Sequence, residues 1–112
     1  MQKHILSVCL NPAIQKTLVF SNFFPDTVNR IAQHRTDASG KGINVCRVLT
    51  QLGKNNIHLT QLGGEFRYGF LEMCMQDRLN IEWVESHSPI RFCYTIINTQ
   101  DRSVTELVEE GE

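Results

Sequence analysis

The sequence predicts an α/β fold, in which a small parallel β-sheet carries helices and a separate antiparallel sheet lies beside it. Two segments with apolar residues three to four positions apart, a spacing typical of helices, alternate with short apolar segments typical of buried strands. Two pairs of β-rich segments, at about 16–36 and 91–109, flank this alternation and do not fit within a parallel sheet. We therefore expect both pairs to form the antiparallel sheet together.

The first part of the chain contains three predicted strands. Segment 4–10 (HILSVCL) is short, apolar and closed by Asn-Pro, as expected of a buried strand. It differs from a signal peptide, because its apolar stretch is short and no small-residue cleavage site follows. Segment 16–21 (KTLVFS) is a second extended run, and a weak alternation from Val28 predicts a more exposed strand at 28–36.

Two predicted helices and four further strands follow. The first helix begins near Gly42 and ends at Gly53, which supplies a left-handed stop; its apolar positions are Ile43, Val45, Cys46, Val48, Leu49 and Leu52. A strand at 56–64 precedes a second helix at 66–80, whose apolar face is predicted to contain Phe66, Phe70, Leu71, Cys74, Met75 and Leu79. A short strand at 81–85 and a hairpin at 91–99 and 102–109 complete the chain.

The composition excludes several classes of protein. The chain has 112 residues, of which 41% are hydrophobic and 21% charged, as expected of one soluble domain. Its formal net charge of −1 gives no reason to expect nucleic acid or an anionic membrane as a partner. The four cysteines and four histidines show no zinc-binding spacing. We therefore expect buried reduced thiols, no metal site and a cytoplasmic location.

The segment SGKGIN (39–44) is a candidate anion site. Gly40 and Gly42 allow a tight turn and a close approach of the backbone to a ligand, and Lys41 adds a positive charge. The helix that follows points free N–H groups and a partial positive charge at the turn. The segment is not a P-loop, and Val45 occupies the third glycine position of the dinucleotide fingerprint. The spacing alone leaves open a second interpretation, in which the glycines only shape a turn.

Polar residues near strand ends provide further candidates. Asn11 and Gln15 follow the first strand, and ligand crevices in open α/β sheets lie beyond the carboxyl ends of the strands. Pro12 would equally explain a simple strand-ending turn. Arg91 begins a strand of the second sheet and could bind phosphate or carboxylate, although a solvated surface arginine is the alternative.

Three stretches carry a family resemblance: LSVCLNPAIQKT, VNRIAQHRTDASGKGINVCRVLTQLG and IRFCYTIINTQDRSVTELVEEG. Together they resemble the start of the ribokinase-like sugar kinases of the phosphofructokinase B branch, and most closely the tagatose-6-phosphate kinases and 1-phosphofructokinases. The resemblance runs colinearly over essentially the whole chain, residues 1–112. It implies the N-terminal part of a doubly wound parallel sheet, with a core at about 1–15 and 37–90 and a β lid at about 16–36 and 91–109.

The resemblance also implies an activity. The complete family transfers the γ-phosphoryl group of ATP, with magnesium, to a hydroxyl group of a ketohexose phosphate such as tagatose 6-phosphate or fructose 1-phosphate. By position, Lys41 and Arg91 would neutralise the sugar phosphate, while Gly40, Gly42 and Asn44 would contact sugar hydroxyls. The lid would close over the sugar and exclude water. It would also provide the surface for a homodimer.

Two residues depart from the family pattern. Gln15 stands where the family has an aspartate that binds sugar hydroxyls, so the charge is lost while hydrogen-bonding capacity remains. Ser39 replaces the first glycine of the usual GGKG. The first change affects the expected affinity or specificity for the sugar, and the second reduces the freedom of the backbone.

The GAGD motif of the family, which carries the catalytic base and the anion hole, does not occur in this sequence. The resemblance therefore implies no catalytic residue in the chain, no binding of ATP or magnesium by the chain alone, and no activity in isolation. It also implies low stability of the isolated chain, because a sheet edge would be left uncovered.

Three hypotheses follow from these features. The chain is part of a sugar-phosphate kinase, or a non-catalytic protein that binds sugar phosphate or interacts through the lid, or a dinucleotide-binding domain. The last is disfavoured by the missing third glycine and by the polar segment before the turn.

Overall fold

The computed structural model describes residues 4–110, and residues 1–3 and 111–112 of the predicted domain lie outside the described residues. The elements run along the chain in this order: β1 (Ile5–Cys9), β2 (Ala13–Phe20), β3 (Gln33–Ser39), α1 (Lys41–Gln51), β4 (Asn56–Leu62), α2 (Arg67–Gln76), β5 (Ile81–Glu85), β6 (Arg91–Asn98) and β7 (Ser103–Val108). Two sheets and two helices thus form in the described part of the chain, and the predicted α/β class is confirmed.

The first sheet is parallel, with the strand order β1-β4-β5. Alternate residues of the central strand β4 are buried, from Asn56 to Leu62. The helices cover this side of the sheet, because Ile43 of α1 and Phe70 and Cys74 of α2 join Leu62 in one buried cluster. Their burial supplies much of the hydrophobic stabilisation of this sheet.

The second sheet, called the lid here, has the strand order β3-β2-β6-β7. Its outer pairs are antiparallel, but β2 and β6 at its centre run parallel, with Ala13 opposite Arg91. We expected both predicted pairs in one antiparallel sheet, and the central parallel pair is a correction to that expectation. It arises because β6 reaches the lid only after the α/β segment, and a long connection permits parallel pairing.

The boundaries of two lid strands differ from the prediction. β2 begins at Ala13, directly after Pro12, and β3 spans Gln33–Ser39 instead of 28–36. The alternation from Val28 was misleading, since Val28 lies before the strand and 78% of its surface is exposed. The position of β3 follows from its pairing with β2, in which Ser39 lies opposite Ala13.

The second helix is shorter than predicted. α2 ends at Gln76, and Arg78 adopts a positive φ of 59° that stops the helix. Met75 is 77% exposed, so its predicted place on the buried face was wrong. The predicted left-handed stop of α1 is confirmed, with φ 71° at Gly53.

All four cysteines are buried and form no disulfide, as predicted. Among residues 4–110, no helix is long and apolar enough to cross a membrane.

Candidate functional site

A cleft of about 350 Å³ lies where the parallel sheet meets the lid. Asn11 enters it from the segment after β1, Lys41 and Gly42 from the start of α1, and Arg91 from the start of β6. Val8, Cys9 and Leu10 complete its lining. The fold therefore brings together residues as far apart in the chain as Val8 and Arg91, and both predicted phosphate ligands are among them.

The turn at Gly40 leads into α1 and leaves the first backbone N–H groups of the helix without a side-chain cap. Gly40 has φ 130°, a conformation that favours glycine, and its carbonyl oxygen accepts the first helical hydrogen bond from Asn44 N at 3.0 Å. No side chain caps α1, and no acidic residue lies in its first turn. The N–H groups and the partial positive charge at this end remain available to an anion.

Close packing beneath the turn explains why both positions are glycine. A Cβ atom at Gly42 would lie 2.8 Å from Cε1 of His58 and 2.9 Å from the carbonyl oxygen of Val8. A Cβ atom at Gly40 would lie 2.9 Å from Sγ of Cys9. Both glycines thus shape a tight turn, and Gly42 also lines the cleft while Gly40 does not, so the two interpretations of SGKGIN are compatible.

His58 supports the turn from within the protein. Its side chain is fully buried, and its Nδ1 lies 2.7 Å from Oγ of Ser7. Burial lowers the pKa of His58, so the imidazole is neutral at pH 7. The positive charge at the cleft therefore comes from Lys41, Arg91 and the helix end, and not from the residue underneath.

Backbone carbonyl groups hold Arg91 at the cleft. Its Nη2 donates to the carbonyl oxygen of Asn11 at 3.2 Å, and its Nη1 donates to that of Glu109 at 3.4 Å. Within residues 4–110, neither Lys41 nor Arg91 forms an ion pair, and the buried Nε of Arg91 has no hydrogen-bond partner. The guanidinium is thus positioned while its charge stays uncompensated by a carboxylate.

Gln15 and Asn44 lie outside the lining of this cleft. Nε2 of Gln15 donates to Oγ1 of Thr95 at 2.6 Å within the lid. Gln15 faces the same side of the lid as Arg91, because Arg91 is opposite Ala13 and side chains alternate along a strand. Asn44 is exposed and lies two positions after Gly42 on α1. Their contacts with a sugar remain predictions.

Sequence reasoning missed the residue that anchors the turn from the other side, Arg47. Its Nη2 donates to the carbonyl oxygen of Ala38 at 2.9 Å and to Oδ2 of Asp77 at 3.0 Å, while its Nη1 donates to Oδ1 of Asn44 at 3.2 Å. Arg47 therefore connects the end of β3, the start of α1 and the end of α2. The only signal in the sequence was its position three residues after Asn44 on one helix.

Comparison with known proteins identifies the family. The sequence profile of the pfkB family of carbohydrate kinases matches residues 6–110. The chain belongs to this family. A tagatose-6-phosphate kinase of Staphylococcus epidermidis is 33% identical over 107 residues, which cover 96% of this chain and 34% of the relative. The chain thus spans about a third of the length of this pfkB relative.

Solved structures confirm the ribokinase-like fold of this N-terminal part. Phosphofructokinase-2 from Escherichia coli in complex with fructose 6-phosphate has a TM-score of 0.88 and 18% identity, over 96% of this chain and 36% of that one. A possible 1-phosphofructokinase from Thermotoga maritima has a TM-score of 0.87 and 23% identity, over 98% of this chain and 36% of the other. The E. coli enzyme is also known as an inhibited tetramer. At these identities the likeness establishes the fold alone.

Proposed function

We propose that this chain is the acceptor-binding part of a kinase that phosphorylates a ketohexose phosphate. The observation that carries the proposal is the cleft, in which Lys41, Arg91 and the N-terminal end of α1 converge. Its size falls within the range of small-molecule sites. Two cations that lack carboxylate partners among the described residues suit the dianionic phosphate of such a sugar.

The division of roles follows from where the groups lie. Lys41 and the forked guanidinium of Arg91 bind the existing phosphate, assisted by the free N–H groups at the start of α1. Gly40 and Gly42 let the sugar approach the backbone, and Gln15 and Asn44 contact its hydroxyl groups when the lid closes. Gln15 would then exchange its hydrogen bond with Thr95 for one with the sugar. The substrate is tagatose 6-phosphate or fructose 1-phosphate, and the name of the 33% identical relative supports the first of these.

ATP and magnesium act in the reaction of the complete kinase, where they supply the transferred phosphoryl group and neutralise its charge. In residues 4–110, no group of three or more His, Cys, Asp or Glu side chains could hold a metal ion. We assign neither group to this chain, because its sequence does not contain the GAGD motif, and derive no step through them. The chain's own task is to bind, orient and shield the acceptor, in the cytoplasm, and it has no kinase activity alone.

A second function that the cleft supports is non-catalytic binding of a sugar phosphate, because Lys41 and Arg91 are positioned for it within this chain. The lid could in addition form a homodimer, since β7 is exposed along its whole length and carries the apolar residues Val104, Leu107 and Val108. Both functions require sugar-phosphate binding. Only the first predicts that kinase activity appears when the remainder of the enzyme is supplied.

Isothermal titration calorimetry of the chain with tagatose 6-phosphate, fructose 1-phosphate and fructose 6-phosphate tests the proposal. We expect binding of at least one of them and none of unphosphorylated fructose. Lys41→Ala and Arg91→Ala should each weaken binding about 10- to 100-fold, the value of a hydrogen bond to a charged group. Lys54→Ala, which removes an exposed lysine at the other end of α1, is the matched control. Absence of binding to all three phosphates, or equal effects of Lys41→Ala and Lys54→Ala, would contradict the proposal.

A further inference from the structure

The groups assigned to the phosphate are all hydrogen-bond donors. The ammonium of Lys41, the guanidinium of Arg91 and the free N–H groups at the start of α1 donate and cannot accept. Such a set suits a phosphate, which only accepts. The hydroxyl groups of a sugar also donate, so a site that orients the ring needs acceptors beside these donors, and a carboxylate is the stronger kind of acceptor.

The strand register of the lid places one carboxylate next to the cleft. Asp37 of β3 lies directly opposite Gln15 of β2. Two positions earlier on β2, Ala13 lies opposite Arg91 of β6. Because alternate residues of a strand share a face, the side chains of Asp37, Gln15 and Arg91 project from the same face of the lid. Directly opposite residues have Cβ atoms about 5 Å apart, so Asp37 and Gln15 are neighbours.

The separation between the carboxylate and the cations matches the length of a sugar. Two residues along a strand span about 6.5 Å, which is the spacing between the row of Gln15 and Asp37 and the row of Ala13 and Arg91. A ketohexose ring spans a distance of this size. A sugar whose phosphate lies at Arg91 therefore has ring hydroxyl groups beside Asp37.

The carboxylate of Asp37 is available to a ligand. Its side chain is 28% exposed, and its hydrogen-bond partner within residues 4–110 is Arg35, whose Nε donates at 3.0 Å. The Arg35 side chain is 77% exposed, so this ion pair is solvated and weak, and a ligand can replace it. The amide of Gln15 is directed to another strand, since its Nε2 donates to Oγ1 of Thr95.

We propose that Asp37 is a specificity-determining residue of the acceptor site, whose carboxylate accepts hydrogen bonds from ring hydroxyl groups of the sugar phosphate. The proposal rests on the proposed function and adds a residue to it. It predicts selectivity, because a carboxylate binds hydroxyl groups but repels a bare phosphate ion. Glu106 is a second carboxylate on this face, but it lies on the exposed strand β7, opposite Thr95 and farther from the cleft.

Titration calorimetry of the full chain with fructose 1-phosphate, tagatose 6-phosphate and inorganic phosphate tests this role. Asp37→Asn should weaken binding of the preferred sugar phosphate about 10- to 100-fold, the value of a hydrogen bond to a charged group. Binding of inorganic phosphate should become no weaker. Glu106→Gln is the matched control, since it removes the same charge from the same face of the lid, and it should change neither affinity.

Two further variants separate a role in binding from a role in the structure of the lid. Arg35→Gln breaks the same ion pair but leaves the carboxylate in place, so sugar-phosphate binding should not weaken. Gln15→Asp combined with Asp37→Asn moves the carboxylate to the opposite position on the neighbouring strand and should restore at least part of the lost affinity.

Several results would overturn the assignment of Asp37. These are equal effects of Asp37→Asn and Glu106→Gln, an Arg35→Gln variant that loses as much affinity as Asp37→Asn, or equal weakening of sugar-phosphate and inorganic-phosphate binding in Asp37→Asn. Each of them leaves sugar-phosphate binding by the unmodified chain intact, so the proposed function survives. An unmodified chain that binds no sugar phosphate would instead overturn both.

Discussion

The parallel sheet and the lid contribute to the cleft in different ways. In the parallel sheet, the central strand β4 buries the polar side chains of Asn56, His58 and Thr60. Of these, His58 lies directly beneath Gly42 at the start of α1. In the lid, every residue of β7 is exposed, and polar residues such as Gln15 are only half-buried. The parallel sheet thus fixes the shape of the glycine turn, whereas the lid presents charge and hydrogen-bonding groups to it.

This difference predicts that substitutions beneath the turn reduce stability, while substitutions in the lid leave the fold intact. Most polar atoms under the turn have defined partners: Oγ of Thr60 donates to the carbonyl oxygen of Cys9 at 2.7 Å, and Ser7 is paired with His58. When one partner of a buried hydrogen bond is removed, the other polar group is left without a partner, and the loss of stability exceeds the net contribution of the hydrogen bond. Pairs in the lid are solvated, and water replaces what a substitution removes.

The largest effect is expected for Gly42→Ala. The new methyl group would meet His58, Cys9 and the backbone of Val8 at 2.8–2.9 Å, so the free energy of unfolding should fall by about 1–3 kcal/mol. Gly69→Ala is the matched control in the other helix, where a Cβ atom meets nothing within 4 Å. That change should raise stability by up to about 1 kcal/mol. Urea denaturation measures both, and a destabilising Gly69→Ala or a neutral Gly42→Ala would show that the turn is not tightly supported.

Arg47→Met should have the next largest effect. It removes the hydrogen bond to the carbonyl oxygen of Ala38 and the ion pair with Asp77. The side chain of Arg47 is 25% exposed and that of Asp77 is 36% exposed. We expect a loss of about 1–2 kcal/mol. In the lid, Arg35→Met breaks the ion pair with Asp37, but the Arg35 side chain is 77% exposed. Its effect should stay within about 0.5 kcal/mol. Equal losses in the two variants, measured by urea denaturation, would remove the distinction between the regions.

The smallest predicted effect is a dependence of stability on pH. Burial lowers the pKa of His58 in the folded chain, so the unfolded chain takes up a proton first as the pH falls. The contribution of His58 is fully present above the unfolded pKa of about 6.5 and is lost below it, by at most about 1.4 kcal/mol per pH unit. Denaturation at pH 5.5 and 7.5 should reveal this loss, and His58→Gln should reduce it. An unchanged slope in His58→Gln would contradict the assignment.

The extent to which the sequence predicted the fold differs between the regions. Local periodicity located α1, β4 and β5 closely, because each has a strong apolar pattern of its own. β3 was placed too early, because its position depends on pairing with β2 and not on its own alternation. The same limit applies to the parallel β2–β6 pair, which joins residues nearly 80 positions apart.

The candidate site shows the same contrast. The glycine spacing and Lys41 predicted a candidate anion site, and the structure places Asn11 and Arg91 in the same cleft. His58 was not predicted, because only the parallel pairing of β1 with β4 brings it beneath Gly42. Arg47 was also missed, since its partner Asp77 is 30 positions away.

Chemical-shift mapping by NMR tests the central claim most directly. During titration with tagatose 6-phosphate or fructose 1-phosphate, we expect the backbone amides of Gly40, Lys41 and Gly42 and the Nε–H of Arg91 to shift. The amides of Ser103–Val108 in β7 serve as the internal control and should not move. Shifts confined to β7, or an unchanged spectrum at millimolar concentrations of both sugar phosphates, would contradict the assignment of this cleft as the acceptor site.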